Sequence, residues 1–265
     1  MVEPYAFIRA HREIATVQTS LESIAPVIKR GVIGYHLPLD DSQDDGTIEY
    51  LKFFCQQNPG YKLVCYPHKV YPANHLAYQN LTEINPAERL DSFYNAVLAE
   101  LPQNEWLIKI DLDQIYHPAI LATFLAKDYD PSLVLWFGRY NLHYDFESKQ
   151  LYNVKNPAIS LEADQWLLYN QQLSFSFRAG ANEGKFYAWE YLDLDARLAQ
   201  GEIKLAQYPI FTWHFPYLKP QRPADPSQLV PYRPLKHPSL PELMTDEQTI
   251  LKLCHYFKAP QKFQK

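Results

Sequence analysis

The sequence predicts an α/β fold, a mostly parallel central sheet flanked by helices, and three observations predict it. Over the first hundred residues, short apolar runs alternate with stretches of helical period, the order that builds a parallel sheet covered by helices. A further apolar run, Trp106-Leu-Ile-Lys-Ile110, ends in two carboxylates, Asp111 and Asp113, and in open α/β sheets ligands gather at the carboxyl ends of strands. The 265 residues are 47% hydrophobic and 21% charged, a balance that supplies a sizeable core and argues against disorder.

Taken in order, Tyr5-Ala-Phe-Ile-Arg9 reads as the first strand. Ile14, Val17, Leu21, Ile24 and Ile28 keep helical spacing, with Pro26 as a bend and Gly31 as the stop. Val32 to Leu37 reads as the second strand. Its loop, Asp40-Asp-Ser-Gln-Asp-Asp-Gly-Thr47, carries carboxylates that can cap the next helix or accept hydrogen bonds from a base or ribose. Ile48, Leu51 and Phe54 mark a helix face, Asn58-Pro-Gly60 breaks it, and Tyr61 to Tyr66 follows as a third strand. Pro67 to Pro86 has three prolines and no period, which reads as a functional or mobile loop.

Leu90, Phe93, Val97 and Leu101 predict the helix that feeds the carboxylate strand, with Arg89 near its start, either on the surface or facing a phosphate. Pro118 to Ala126 reads as a helix and Leu133 to Asn141 as a strand. Leu151 to Asn170 has strand pieces around Asn156-Pro157 that extend the sheet or form a hairpin. Trp189 to Ala199 reads as a helix ended by Gly201, and Tyr208 to Trp213 as a strand. Proline recurs between Pro220 and Pro241, so residues 223–265 are expected to wrap the surface of a domain spanning residues 1–222 and to end in a helix over Thr245 to Phe257.

A net charge of −5 gives no general case for nucleic-acid binding, so an anionic ligand needs a local basic pocket. Cys55, Cys65 and Cys254 are odd in number and lack metal-type spacing, which fits a reducing cytoplasm. No run approaches the ~18 apolar residues of a membrane span. Lys258, Lys262 and Lys265 form a small basic tail, read as a solvated end or as a peripheral contact with the anionic inner face of the cytoplasmic membrane.

Strand side chains alternate, so Asp111 and Asp113 are expected on one side, within reach of one divalent cation. Mg2+ or Mn2+ commonly takes one or two carboxylates and completes its shell with substrate phosphate oxygens. That is the chemistry of a nucleoside-diphosphate sugar site; loop solvation or helix capping is the plain alternative. His214, with Lys219 and Arg222 close behind, adds a candidate for metal and phosphate contact. Glu190 and Asp193, three apart on the expected helix, are candidates for the base that an acceptor hydroxyl needs, or simply solvated charge.

Several blocks in one order, Tyr5-Ala-Phe-Ile-Arg9 with Glu13, Ser20-Leu-Glu-Ser-Ile24, Lys29-Arg-Gly-Val-Ile-Gly-Tyr35, Glu105-Trp-Leu-Ile-Lys-Ile-Asp111, Asp164-Gln-Trp-Leu-Leu-Tyr-Asn170 and His214-Phe-Pro216, resemble the bacterial lipooligosaccharide β-1,4-N-acetylgalactosaminyltransferases. The likeness runs from about residue 4 to residue 222. It implies a GT-A fold, a UDP-sugar donor, an oligosaccharide or glycolipid acceptor, Mn2+ (or Mg2+) and inversion at the anomeric carbon. By the same resemblance Asp111 and Asp113 match the metal and diphosphate motif, and His214 matches a position that can complete the metal shell. Arg9, Glu13, Asp40 and Asp41 match the region that holds the nucleotide. The Glu-Asp pair that many such enzymes carry is Glu190-Tyr191 here, which leaves Glu190, Asp193 or Asp164 as the base. Two other classes compete: a haloacid-dehalogenase-type phosphatase, which places its Asp-x-Asp on the first strand, and a non-catalytic glycan-binding protein.

Overall fold

The computed structural model describes residues 1–37, 45–182, 185–219, 222 and 224–258. Strand β1 (Tyr5–Ala10), helix α1 (Val17–Ile24), β2 (Arg30–Leu37), α2 (Thr47–Gln57) and β3 (Tyr61–Lys69) follow the predicted βαβαβ order. Then come α3 (Leu90–Leu98), β4 (Trp106–Asp111), β5 (Gln114–Tyr116), α4 (Pro118–Leu125), β6 (Leu133–Asp145), β7 (Gln150–Val154) and β8 (Ile159–Tyr169). A hairpin of β9 (Phe175–Asn182) and β10 (Lys185–Leu192), the short α5 (Asp195–Ala199), β11 (Lys204–Tyr208), β12 (Thr212–His214), β13 (Leu229–Pro231) and α6 (Glu247–Cys254) complete the chain. Among the described residues no helix is long and apolar enough to cross a membrane.

The main sheet runs β13-β7-β6-β8-β4-β1-β2-β3, with β11 and β12 beside β6. The sheet expected to be mostly parallel is mixed: β3, β2, β1 and β4 run together, β8 lies antiparallel between β4 and β6, and beyond it β11 and β12 run parallel to β6 while β7 pairs with β6 antiparallel. The reversal has a local cause. Parallel neighbours need a crossover, usually helical, and the short link after β6 permits only a hairpin, so β7 and then β8 run back antiparallel along successive halves of β6.

Two cores cover the parallel half. On one face Ala6, Ile8, Ile33, Ile108 and Ile110 pack with α1, α2 and α4 through Leu21, Ile24, Leu51, Phe54, Leu121 and Phe124. On the other, Phe7, Val32 and Leu107 meet Phe93, Tyr94 and Val97 of α3 and Phe175 and Ala188 of the β9–β10 hairpin. Each fully buried side chain of this size contributes roughly 1.5–3 kcal/mol. The second face carries the polar ends of the same strands, Arg9, Lys109 and Asp111.

Several sequence expectations are corrected. Gly31 does not stop α1, which ends at Ile24 just before Pro26; it lies inside β2, where a Cβ would meet the Ala6 Cβ at 2.7 Å. Glycine there lets β1 and β2 lie side by side. The helix expected over Trp189 to Ala199 is instead the end of β10 followed by α5. Lys185-Phe-Tyr-Ala-Trp-Glu-Tyr-Leu192 is rich in aromatic strand formers, and β9 supplies its ladder, pairing Trp189 with Arg178 and Glu190 with Phe177. In the stretch read as a loop, β3 continues to Lys69 and 3-10 turns form at Leu76–Gln79 and Pro86–Glu88. Within the proline-rich end, β13 pairs with β7, while Ile250, Cys254 and Phe257 pack into a third core with Tyr144, Trp213 and Phe215.

Candidate active site

The carboxyl ends of β1, β2 and β4 open into a cleft of about 600 Å³ whose walls include Arg9, Glu13, His36, Asp111, Asp113 and Glu190. Register places its first group. Arg9 sits opposite Asp111 across the β1–β4 ladder, and Lys109, two residues before Asp111, projects from the same face. The Arg9 guanidinium donates to Asp111 Oδ1 at 3.2 Å and lies 3.6 Å from the centroid of the Tyr94 ring. Lys109, 3% exposed, reaches Asp111 Oδ2 at 3.3 Å and also the Asp164 carboxylate, while Gln165 donates to Asp111. Arg139 clamps Asp164 and Glu162, each at 2.9 Å.

This arrangement separates the three candidate bases. Burial works to raise the Asp164 pKa, but Lys109 and Arg139 outweigh it and hold the carboxyl below the usual range; a carboxylate so held is a weak proton acceptor. Asp193 is exposed, accepts hydrogen bonds from the hydroxyls of Ser174 and Ser176, and is not part of the cleft wall. The shared helix face expected for Glu190 and Asp193 does not exist, because Glu190 stands on β10 and Asp193 lies beyond its end. Glu190 faces the cleft and accepts a hydrogen bond from the Tyr94 hydroxyl.

A second group forms where the chain leaves β4. The strand ends at Asp111, so Asp113 sits in the turn before β5 rather than on the strand, and the expected common side for the two carboxylates is lost. Asp111 turns to Arg9 and Lys109, whereas Asp113 turns to Lys219 Nζ at 2.9 Å and His214 Nε2 at 3.4 Å. Lys219 also pairs with Glu13 Oε1 at 2.7 Å. Burial works to raise the Asp113 pKa, yet Lys219 and His214 hold it well below the usual range. For Glu13 burial wins over Lys219, and its carboxyl is pushed up to about 7.

The His214 ring is oriented from behind. Asn141 Nδ2 donates to the Pro157 carbonyl at 2.7 Å, which turns Asn141 Oδ1 toward His214 Nδ1, also at 2.7 Å. Nδ1 is therefore the donor and Nε2 is directed at Asp113, the backing that a metal-binding histidine commonly has. Glu13 Oε2, close by, is buried and has no hydrogen-bond partner among the described residues. These oxygen and imidazole donors suit Mn2+ or Mg2+, so Asp113 and His214 fit a divalent cation. Asp111 stands apart, and among the described residues no three His, Cys, Asp or Glu side chains are grouped to hold a metal.

The remaining nominees fall out unevenly. Arg222 lines the cleft, exposed, and its backbone N–H bonds to the Lys219 carbonyl. Arg89 does not line it; the guanidinium is spent on Asp91 at the start of α3. Asp40 and Asp41 lie outside the described residues. Sequence reading missed Tyr94, Arg139, Gln165, Lys109 and a pair of stacked histidines, His11 and His36, whose ring centroids are 4.6 Å apart on the cleft wall. Lys109 left a signal, a lone lysine inside an apolar strand two residues from a carboxylate.

No curated protein matches the chain. The family model of the beta-1,4-N-acetylgalactosaminyltransferases (CgtA) matches residues 1–231, a span that holds both charged groups and every wall of the cleft. That match sets aside the phosphatase and the non-catalytic readings. With most of its length and all of this site inside the match, the chain belongs to the beta-1,4-N-acetylgalactosaminyltransferase (CgtA) family and is a glycosyltransferase.

Proposed function

We propose that the protein transfers N-acetylgalactosamine from UDP-GalNAc to a galactose-ended oligosaccharide or glycolipid of the bacterial cell surface, working at the cytoplasmic face of the membrane and forming a β-1,4 linkage with inversion. The observation that carries this reading is the cleft at the ends of β1 and β4. There Arg9, Lys219 and Arg222 offer positive charge to a diphosphate, and Glu190 offers an acceptor for a proton. The parallel order β3-β2-β1-β4 followed by antiparallel β8 is compatible with a GT-A sheet.

In the proposed reaction the acceptor hydroxyl attacks the anomeric carbon as the bond to UDP breaks. Its proton passes to a Glu190 carboxylate oxygen, while UDP leaves with the bonding electron pair. One displacement gives inversion. Asp113 and His214 would hold Mn2+ or Mg2+, which when bound supplies positive charge to the departing diphosphate. Arg9, fixed by Asp111 and by the face of Tyr94, stays oriented toward the cleft. Tyr94 in turn holds Glu190.

The test is transfer by purified protein from UDP-GalNAc to a β-galactoside, with the product linkage read by NMR. Glu190→Gln is expected to lower kcat by at least ~100-fold while UDP still raises the Tm. Asp113→Ala is expected to remove both transfer and the dependence of the UDP-induced Tm shift on Mn2+. Wild-type turnover in Glu190→Gln would move the base elsewhere, and metal-dependent UDP binding in Asp113→Ala would dismiss the metal site.

A further inference from the structure

Beyond Glu190 the cleft opens into a second, larger chamber of about 970 Å³. The two share Ala73, Tyr94, Lys109, Arg139, Asp164 and Glu190, but Asp113, His214 and Lys219 belong to the first alone. Three tryptophans from separate elements line the second: Trp166 on β8 is buried, 4% exposed, whereas Trp189 on β10, 41% exposed, and Trp136 on β6, partly exposed, are open to a ligand. Glu162 and Arg139 bring charge and hydrogen-bonding capacity to the same wall.

We infer that this chamber binds the acceptor as an extended oligosaccharide, with pyranose rings seated on Trp189 and Trp136. The inference rests on the glycosyltransferase reading above and adds where and how the acceptor lies. A base serves an acceptor hydroxyl only from between the two substrates, and Glu190 stands at the junction. The end with Asp113, His214 and Lys219 suits a diphosphate, so the opposite end receives the sugar to be extended. A pyranose presents one apolar C–H face and a rim of hydroxyls. The exposed parts of the Trp189 and Trp136 indoles match the former, and the Arg139–Glu162 pair matches the latter. A chamber of this size takes more than a single ring. The β9–β10 hairpin thus carries two functions side by side, proton acceptor at Glu190 and sugar platform at Trp189.

The test uses full-length protein, UDP-GalNAc with Mn2+, and β-galactosides of one to four sugars. In the wild type, acceptor KM falls as the chain lengthens. Trp189→Ala and Trp136→Ala each raise KM for the tetrasaccharide roughly tenfold, flatten the dependence on length, and lower the ratio of transfer to acceptor over transfer to water. That ratio does not depend on how much of the preparation is folded. Trp189→Phe, which keeps a ring, recovers most of the loss. Saturation-transfer NMR with the tetrasaccharide and UDP reads binding without turnover: wild type binds and Trp189→Ala binds weakly. If wild type consumes no UDP-GalNAc, the transferase reading fails and the NMR comparison still decides the chamber. Unchanged length dependence and unchanged NMR binding in both alanine variants would overturn the acceptor assignment.

Discussion

Lys109 shows how one side chain can organise a site without being its chemistry. It is 3% exposed, and burial alone would drive its ammonium toward neutrality, but Asp111 and Asp164 keep it charged and raise its pKa. Removing one partner of a fully buried ion pair costs about 3–5 kcal/mol. Asp164 is 44% exposed, so water will screen part of the loss, and Lys109→Met is expected to destabilise the protein by roughly 2–3 kcal/mol. A urea titration checks this, and a change below about 0.5 kcal/mol would mean that water already satisfies both carboxylates. The residue types of the site were legible at this scale: Arg9, Glu13, Asp111, Asp113, Glu190, His214, Lys219 and Arg222 all reach the cleft. Their groupings were not. Gln165 meets Asp111 across 54 residues and Tyr94 meets Glu190 across 96, and no local pattern encodes such pairs.

At the scale of elements, α3 depends on one glycine. A Cβ built on Gly34 of β2 would lie 2.1 Å from Val97 Cγ2, and Val97 is one helical turn beyond Tyr94. Gly34→Ala must push α3 outward, at a cost of about 1–3 kcal/mol, and must shift the tyrosine that holds Glu190. Transfer activity should fall with stability. The double variant Gly34→Ala, Val97→Ala relieves the clash and is expected to recover part of both, a coupling that a double-mutant cycle measures. Wild-type stability in Gly34→Ala alone would mean that the helix has slack. Legibility divides in the same way here. The βαβαβ half follows from periodicity because each strand and helix buries one face. The β9–β10 hairpin did not, since a short aromatic segment satisfies helix and strand patterns alike until its partner strand is known. The end of β4 at Asp111 rather than beyond Asp113 was equally hidden.

For the whole molecule, the balance of buried imidazoles sets how stability responds to acid. Burial lowers the pKa of His11, His36, His117 and His143, His11 to about 3, with the stacked His36 and nearby Lys219 adding to its shift. A histidine depressed in the folded state contributes stability that is present above its unfolded pKa near 6.5 and is lost as pH falls toward the folded value, because the unfolded chain binds the proton more readily. Glu13 acts in the opposite sense: with its pKa raised by burial to about 7, its contribution is greatest below its unfolded value near 4.5 and is lost as pH rises through 7. Between pH 7 and pH 5 four histidines therefore work against one glutamate, and unfolding takes up protons on balance. Stability is expected to fall steadily over that interval in urea titrations. His11→Phe keeps a ring against His36 but removes the largest of these proton sites, so the variant should show a shallower fall and should gain on the wild type as the solution is acidified. A stability that stayed level or rose from pH 7 to pH 5, or a His11→Phe slope equal to that of the wild type, would show that His11 already takes up its proton in the folded protein.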